Sequence, residues 1–145
     1  MNILQAKNDI LDVFRTGWLS NSESENIIVF YRLEDEKEDL KSADKSWARV
    51  TIKHYDLGAK NQSLSSSNGT KKYNRDGFIQ VDIFTPLGSG IELESNLAQI
   101  VLNSFEGKSS ENGVWFLNAR ILEDGISSSW SKMIVKINFK YSDFK

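Results

Sequence analysis

Apolar residues recur at helical intervals between Asn2 and Thr16, where Ile3, Ala6, Ile10, Leu11, Val13 and Phe14 alternate in blocks with Lys7, Asp9, Asp12 and Arg15. Gly17 stands where a helix commonly ends, so the pattern predicts an amphipathic helix stopping there, with Trp18 and Leu19 folding back onto the same core. A polar link from Ser20 to Asn26 follows. Residues 27–33 (Ile-Ile-Val-Phe-Tyr-Arg-Leu) are β-branched and aromatic without a turn residue, which suits a strand buried on both faces. From Trp47 to Tyr55 the chain alternates: Ala48, Val50, Ile52 and His54 take one side, and Trp47, Arg49, Thr51, Lys53 and Tyr55 the other. That is a half-exposed strand with a basic outer face.

Residues 77–84 again alternate, Phe78, Gln80, Asp82 and Phe84 against Ile79, Val81 and Ile83, up to Pro86, the only proline. Ser89 and Glu92 have capping-box spacing, and Ile91, Leu93, Leu97, Ile100, Val101 and Phe105 mark a second amphipathic helix ending before Gly107. Val114 to Leu122 and Trp130 to Tyr141 both alternate, with Asp124-Gly125 in the link, which predicts a closing β-hairpin. The order helix, strand, strand, strand, helix, strand, strand predicts an α+β fold: a two-layer domain over residues 1–145, with a mostly antiparallel or mixed five-stranded sheet and two helices on one face. Residues 56–76 stay outside this scheme as a long polar loop containing three successive serines, Ser65 to Ser67, and Asn68-Gly69. Loops of that length in a compact domain are commonly functional, so it is a candidate for a segment that orders against a partner.

Composition narrows the chemistry. The 145 residues include no cysteine and one histidine, which excludes disulfide scaffolds, thiolate metal sites, cysteine nucleophiles and any site needing two imidazoles. The 16 aromatics and 39% apolar content exclude disorder throughout. No basic start leads into an apolar run, and no run approaches the ~18 apolar residues that span a bilayer. The expectation is a soluble protein that is not exported by the general secretory route and has no membrane partner.

The net charge of −2 is less bland than its sum. Residues 1–45 carry −4, residues 46–75 carry +5 and residues 76–145 carry −3. The acidic part concentrates in Glu34, Asp35, Glu36, Glu38 and Asp39, and the basic part includes Lys60, Lys71, Lys72 and Arg75, with Tyr73 among them. Opposite charges in separate exposed segments can meet on one molecule or on two neighbouring copies, or the segments can simply be solvated loops; these ten residues are the candidate subunit or tube interface.

Motifs for catalysis fail one by one. Gly88-Ser-Gly90 joins a strand to a helix, but the third position of a dinucleotide fingerprint is Leu93 and no βαβ unit follows. Gly107-Lys108-Ser109 ends a helix, and the first glycine of a phosphate loop is replaced by Leu102. His54 has no sequence-fixed carboxylate or serine beside it and reads as a partly buried structural imidazole. Glu92 and Glu94 flank a helix start, and Glu123 and Asp124 flank the expected turn, so neither reads as a catalytic pair. Asn61 and Asn68 match the glycosylation pattern only by chance in a Ser-rich segment. Trp47, Trp115 and Trp130, on or beside strands, suit a core or an interface better than base stacking. No catalytic, cofactor-binding or metal-ligating residue is assigned, and the expectation is a non-enzyme.

Residues 47–54 (Trp-Ala-Arg-Val-Thr-Ile-Lys-His), the polar segment after them and residues 75–90 (Arg-Asp-Gly-Phe-Ile-Gln-Val-Asp-Ile-Phe-Thr-Pro-Leu-Gly-Ser-Gly) resemble the tail terminator, or tail completion, proteins of long-tailed bacteriophages. In element order the resemblance extends over residues 1–141. It implies a virion structural subunit, assembled in the host bacterial cytoplasm, that forms a homo-hexameric ring on the tail tube protein. The ring would end tube polymerisation, offer a docking surface to the head-connector protein, and meet DNA only as it passes through the channel. A head-to-tail adaptor shares these traits, and a small ligand-binding or nucleic-acid-binding domain is the reading from another class.

Overall fold

The computed structural model describes residues 1–22, 30–33, 46–55, 62–67, 70–88, 91–127 and 130–144. Its elements are α1 (Ile3–Ser22), β1 (Phe30–Leu33), β2 (Trp47–His54), β3 (Gln62–Ser67), β4 (Thr70–Pro86), α2 (Ile91–Phe105), β5 (Trp115–Ser127) and β6 (Trp130–Phe144). Five strands form the path β1-β2-β4-β6-β5, and β3 pairs with β4 off that path. All pairs are antiparallel except the parallel pair of β1 with β2. The architecture is the α+β arrangement that the periodicity predicts.

The centre of the sheet is the long pair β4 and β6, in register from Lys72 opposite Phe144 to Pro86 opposite Trp130. Alternation along these strands sends Ile79, Val81, Ile83, Met133, Val135, Ile137 and Phe139 to the helix side, where each is buried. There they join Ala6, Ile10, Leu11, Phe14 and Trp18 of α1 and Leu97, Ala98, Val101 and Phe105 of α2 in one core. Burying an apolar side chain of this size contributes roughly 1.5–3 kcal/mol, so the shared core outweighs any single polar contact. Ser131 of β6 donates a 2.6 Å hydrogen bond to Glu94 Oε2, fixing the first turn of α2 on the sheet.

At its N-terminus α1 is held by a reciprocal box: the Gln5 amide donates to Asn2 Oδ1 and the Asn2 amide donates to Gln5 Oε1, each at 2.8 Å. The helix does not end at Gly17 but continues to Ser22, so Trp18 lies inside it, stacked on Phe14 at 5.5 Å. The glycine serves contact instead of termination. A Cβ at position 17 would lie 1.9 Å from Ser104 Oγ and 2.8 Å from Ser104 Cβ, so α1 and α2 cross where only hydrogen fits.

Two other expectations change. The segment 56–76 is not one loop, since β3 occupies Gln62–Ser67 and β4 starts at Thr70; residues 56–61 lie outside the described residues. β3 runs along the same edge of β4 as β2, beyond the end of β2: His54 faces Gly77, and Gln62 faces Tyr73. Asp124-Gly125 is not the hairpin turn. The pairing runs on through an irregularity between Glu123 and Gly125 to Ile126 opposite Ser131, with Gly125 at φ 92°. The expected cap Ser89 and the expected strand residues 27–29 fall outside the described residues.

Gly17→Ala is expected to destabilise the fold by about 1–3 kcal/mol through overpacking. The same substitution in a Ser104→Gly background removes the clash and becomes favourable by about 1 kcal/mol, the helix-propensity difference. Urea unfolding of the four proteins checks this; a Gly17→Ala cost that persists in the Ser104→Gly background would contradict the close approach.

Candidate assembly surface

The ten expected interface residues separate on the structure. Glu34, Asp35, Glu36, Glu38, Asp39 and Lys60 lie outside the described residues. Lys71 is in β4 opposite Ser66 of β3, and Lys72 pairs with Phe144 at the end of β6. Tyr73 is half-buried, with the Arg75 guanidinium carbon 5.2 Å from its ring centroid. Arg75 corrects the sequence reading, for it is 7% exposed and its guanidinium lies 3.6 Å from the buried Asp143 carboxylate. Two-residue periodicity explains this: Arg75 is opposite Tyr141 and shares the helix side with Gly77 and Ile79, whereas Lys72, Asn74 and Asp76 point to the other side. Arg75 is a strut at one end of the core.

The other side of the sheet concentrates charge that the linear pattern hides. By register it carries Arg49 and Lys53 of β2, Lys72 of β4, Lys132, Lys136 and Lys140 of β6, and Arg120 of β5. Asp76 and Asp82 are the carboxylates that the paired registers place with them among the described side chains. Asp82 is 1% exposed and already engaged: Arg49 donates to its Oδ2 from Nε at 3.1 Å and from a terminal nitrogen at 2.8 Å, and Gln80 donates to its Oδ1 at 3.0 Å. A strongly basic sheet face remains. Its central rings are sealed by cations, with Lys136 Nζ 4.6 Å from the centroid of Phe78 and Lys132 Nζ 5.8 Å from that of Phe84. Trp47 covers the Phe84 ring from 4.2 Å and meets Trp130 edge-on. At the β5 edge Trp115, Leu117 and Leu122 are exposed.

No protein-family model and no curated protein matches this chain. Among solved structures, one whose name describes no function covers 93% of this chain and 94% of its own at 12% identity, with a TM-score of 0.62. That likeness is one of fold. A chain from a structure of the virion of a native gene transfer agent particle covers 78% of both at 14% identity and a TM-score of 0.39, too partial a likeness to carry an argument.

His54, the one histidine, is a packed side chain on the helix side. Its Nε2 is hydrogen-bonded to the Tyr141 hydroxyl at 2.8 Å, and its ring meets Phe139 and Tyr141 edge-on. Burial first, then the positive charges of Lys7 and Arg75, lower its pKa from the usual 6.5, against a smaller opposing effect of Asp76. Burial and the Asp143 carboxylate push the Tyr141 hydroxyl up to about 12, with Arg75 opposing. Both groups are therefore neutral at physiological pH. Among the described residues no three histidine or acidic side chains gather as a metal site, and no helix is long and apolar enough to cross a membrane. Gly77 lies beside this pair, where a Cβ would meet the Lys53 carbonyl oxygen at 2.1 Å and the Phe139 ring at 2.7 Å.

Two outcomes follow from this geometry. A His whose folded pKa is lowered binds fewer protons folded than unfolded, so its contribution is intact above pH 6.5 and is lost as pH falls below that value. Urea midpoints should drop between about pH 7.5 and pH 5.5, and His54→Gln should flatten the profile; an unchanged slope in the variant would contradict the assignment. Arg75→Ala should destabilise the fold by about 1–3 kcal/mol, because among the described residues the buried Asp143 then keeps only the Met1 ammonium at 3.9 Å, and Arg75→Ala with Asp143→Ala together should cost less than the sum of the single variants. Additive losses in that cycle would mean that the two groups are not coupled.

Proposed function

We propose that this chain is a structural subunit of a long-tailed bacteriophage that caps the tail tube as a homo-hexameric ring. In this role it ends addition of tube subunits and gives the head connector its docking surface, and DNA meets it only in passing. It acts in the virion tail after assembly in the host bacterial cytoplasm. The reading begins with the resemblance carried by residues 47–54 and 75–90. What carries it further is the arm: residues between those motifs pair as β3 with the start of β4, extending the sheet past the end of β6.

Such an arm suits contact between subunits, because Thr70 and Lys71 lie beyond the last β4–β6 pair, Lys72 with Phe144. Rings need heterologous contacts, in which one surface of a copy meets a different surface of the next. The β3–β4 end of the sheet would be one half of such a contact. The role is mechanical rather than catalytic: His54 is committed to Tyr141, Asp82 to Arg49 and Glu94 to Ser131, so each holds the fold instead of facing a substrate.

Electron microscopy of particles assembled without this chain tests the reading. Loss of a tube cap should leave tails of uncontrolled length; finished tails of normal length, unattached to heads, would assign the chain to the head side as an adaptor instead. Lys71→Glu with Lys72→Glu should reproduce the uncapped tails while leaving the urea midpoint unchanged. Normal tails in that variant would remove the arm from the contact.

A further inference from the structure

A groove of about 530 Å³ lies between α1, α2 and the segment that leads into β5. Val13, Gly17 and Ile100 contribute its less polar wall, and among the described residues that line it Asp9, Asp12 and Glu111 set three carboxylates against the one ammonium of Lys108. Asp9 is the unusual member. It is only 7% exposed, and although its Oδ1 accepts a 2.8 Å hydrogen bond from Asn112 Nδ2, its Oδ2 is buried with no hydrogen-bond partner. A buried carboxylate oxygen without a protein donor is costly. A cation brought into the groove would offset that cost. Arg15 offsets little of the groove's negative charge through its 3.5 Å contact with Asp12, which is an exposed pair.

The same chain carries a matching surface on the other layer. Lys136 and Lys140 stand on the open side of β6, away from the helices; Asp76 is opposite Lys140, and among the described residues the registers place no carboxylate directly opposite Lys136. We propose that the α1–α2 groove of one copy receives Lys136 and Lys140 of the next copy, so that helix layer meets open sheet face head to tail. This rests on the ring reading and names two further surfaces, besides the β3–β4 end, through which copies would meet. The contact is heterologous, as a closed ring requires. It also hides the basic face, which on a channel wall would hold the passing phosphate backbone. Phe78 and Phe84 are covered by lysines while Trp115, opposite Lys140, is exposed, so a single nucleic-acid strand is the rival occupant that the test separates.

The absence of cysteine gives a clean test. Lys136→Cys and Glu111→Cys combined in one chain should yield a disulfide-linked ladder longer than a dimer on mild oxidation, and each single variant should not. Lys136→Glu with Lys140→Glu should weaken self-association about tenfold or more, as should Asp12→Lys with Glu111→Lys. An equimolar mixture of the two reversed proteins should restore it, because each then offers the charge that the other lacks. Circular dichroism and urea midpoints keep folding separate from assembly. Oligomers of unchanged mass from either reversed protein would overturn this interface and leave the ring standing on other contacts. A monomer with no ladder at the highest soluble concentration would overturn it as well, while tail length without the chain decides the cap separately. Salt-sensitive binding of a single-stranded oligonucleotide, lost in Lys136→Glu with Lys140→Glu, would give the face to nucleic acid instead.

Discussion

The register between β4 and β6 decides where nearly every other side chain goes. With Ile79, Val81 and Ile83 set opposite Ile137, Val135 and Met133, one apolar face is continuous along the centre of the sheet, and both helices must cover it. A slip of one residue would turn that row to water and bring Asp82, Gln80 and Lys136 under the helices. The penalty for such a slip is large because burial of each charge without its partner is unfavourable. The alternation therefore fixes not only the core but also the charges, since each lysine of β6 is set on the far side by the apolar residues next to it.

From this follows a subunit with two unlike layers. The helix layer has an acidic groove with an unsatisfied carboxylate oxygen, and the sheet layer has a basic face whose central rings are capped by ammonium groups. At one end the sheet extends as the β3–β4 arm, and near that end Arg75, Asp143, Tyr141 and His54 lock the last pairs of the core.

Much of the fold was legible because it rests on periodicity. The alternation of residues 47–55, 77–84 and 130–141 placed the sheet, and the spacing of Leu93, Leu97, Ile100, Val101 and Phe105 placed α2. Gly17 misled because a glycine at a helix end and a glycine at a helix crossing look alike in one dimension; the difference is Ser104, far along the chain. The serines of β3 have low strand preference, and they pair only because β4 extends past β2 and offers a free edge. Arg75 was readable in principle, since stepping back by twos from Ile79 puts it on the buried side. The tie between His54 and Tyr141, the Asp9 oxygen and the gathering of lysines from three strands depend on contacts that no local pattern records.

The central claim is that the chain sits at the end of a tail tube and stops its growth. The most direct measurement adds the purified chain to polymerising tube protein and images the products with a label on this subunit. The account predicts label at one tip and tubes that stop lengthening once labelled. Label along the tube wall, or tubes that lengthen at the same rate in its presence, would contradict it.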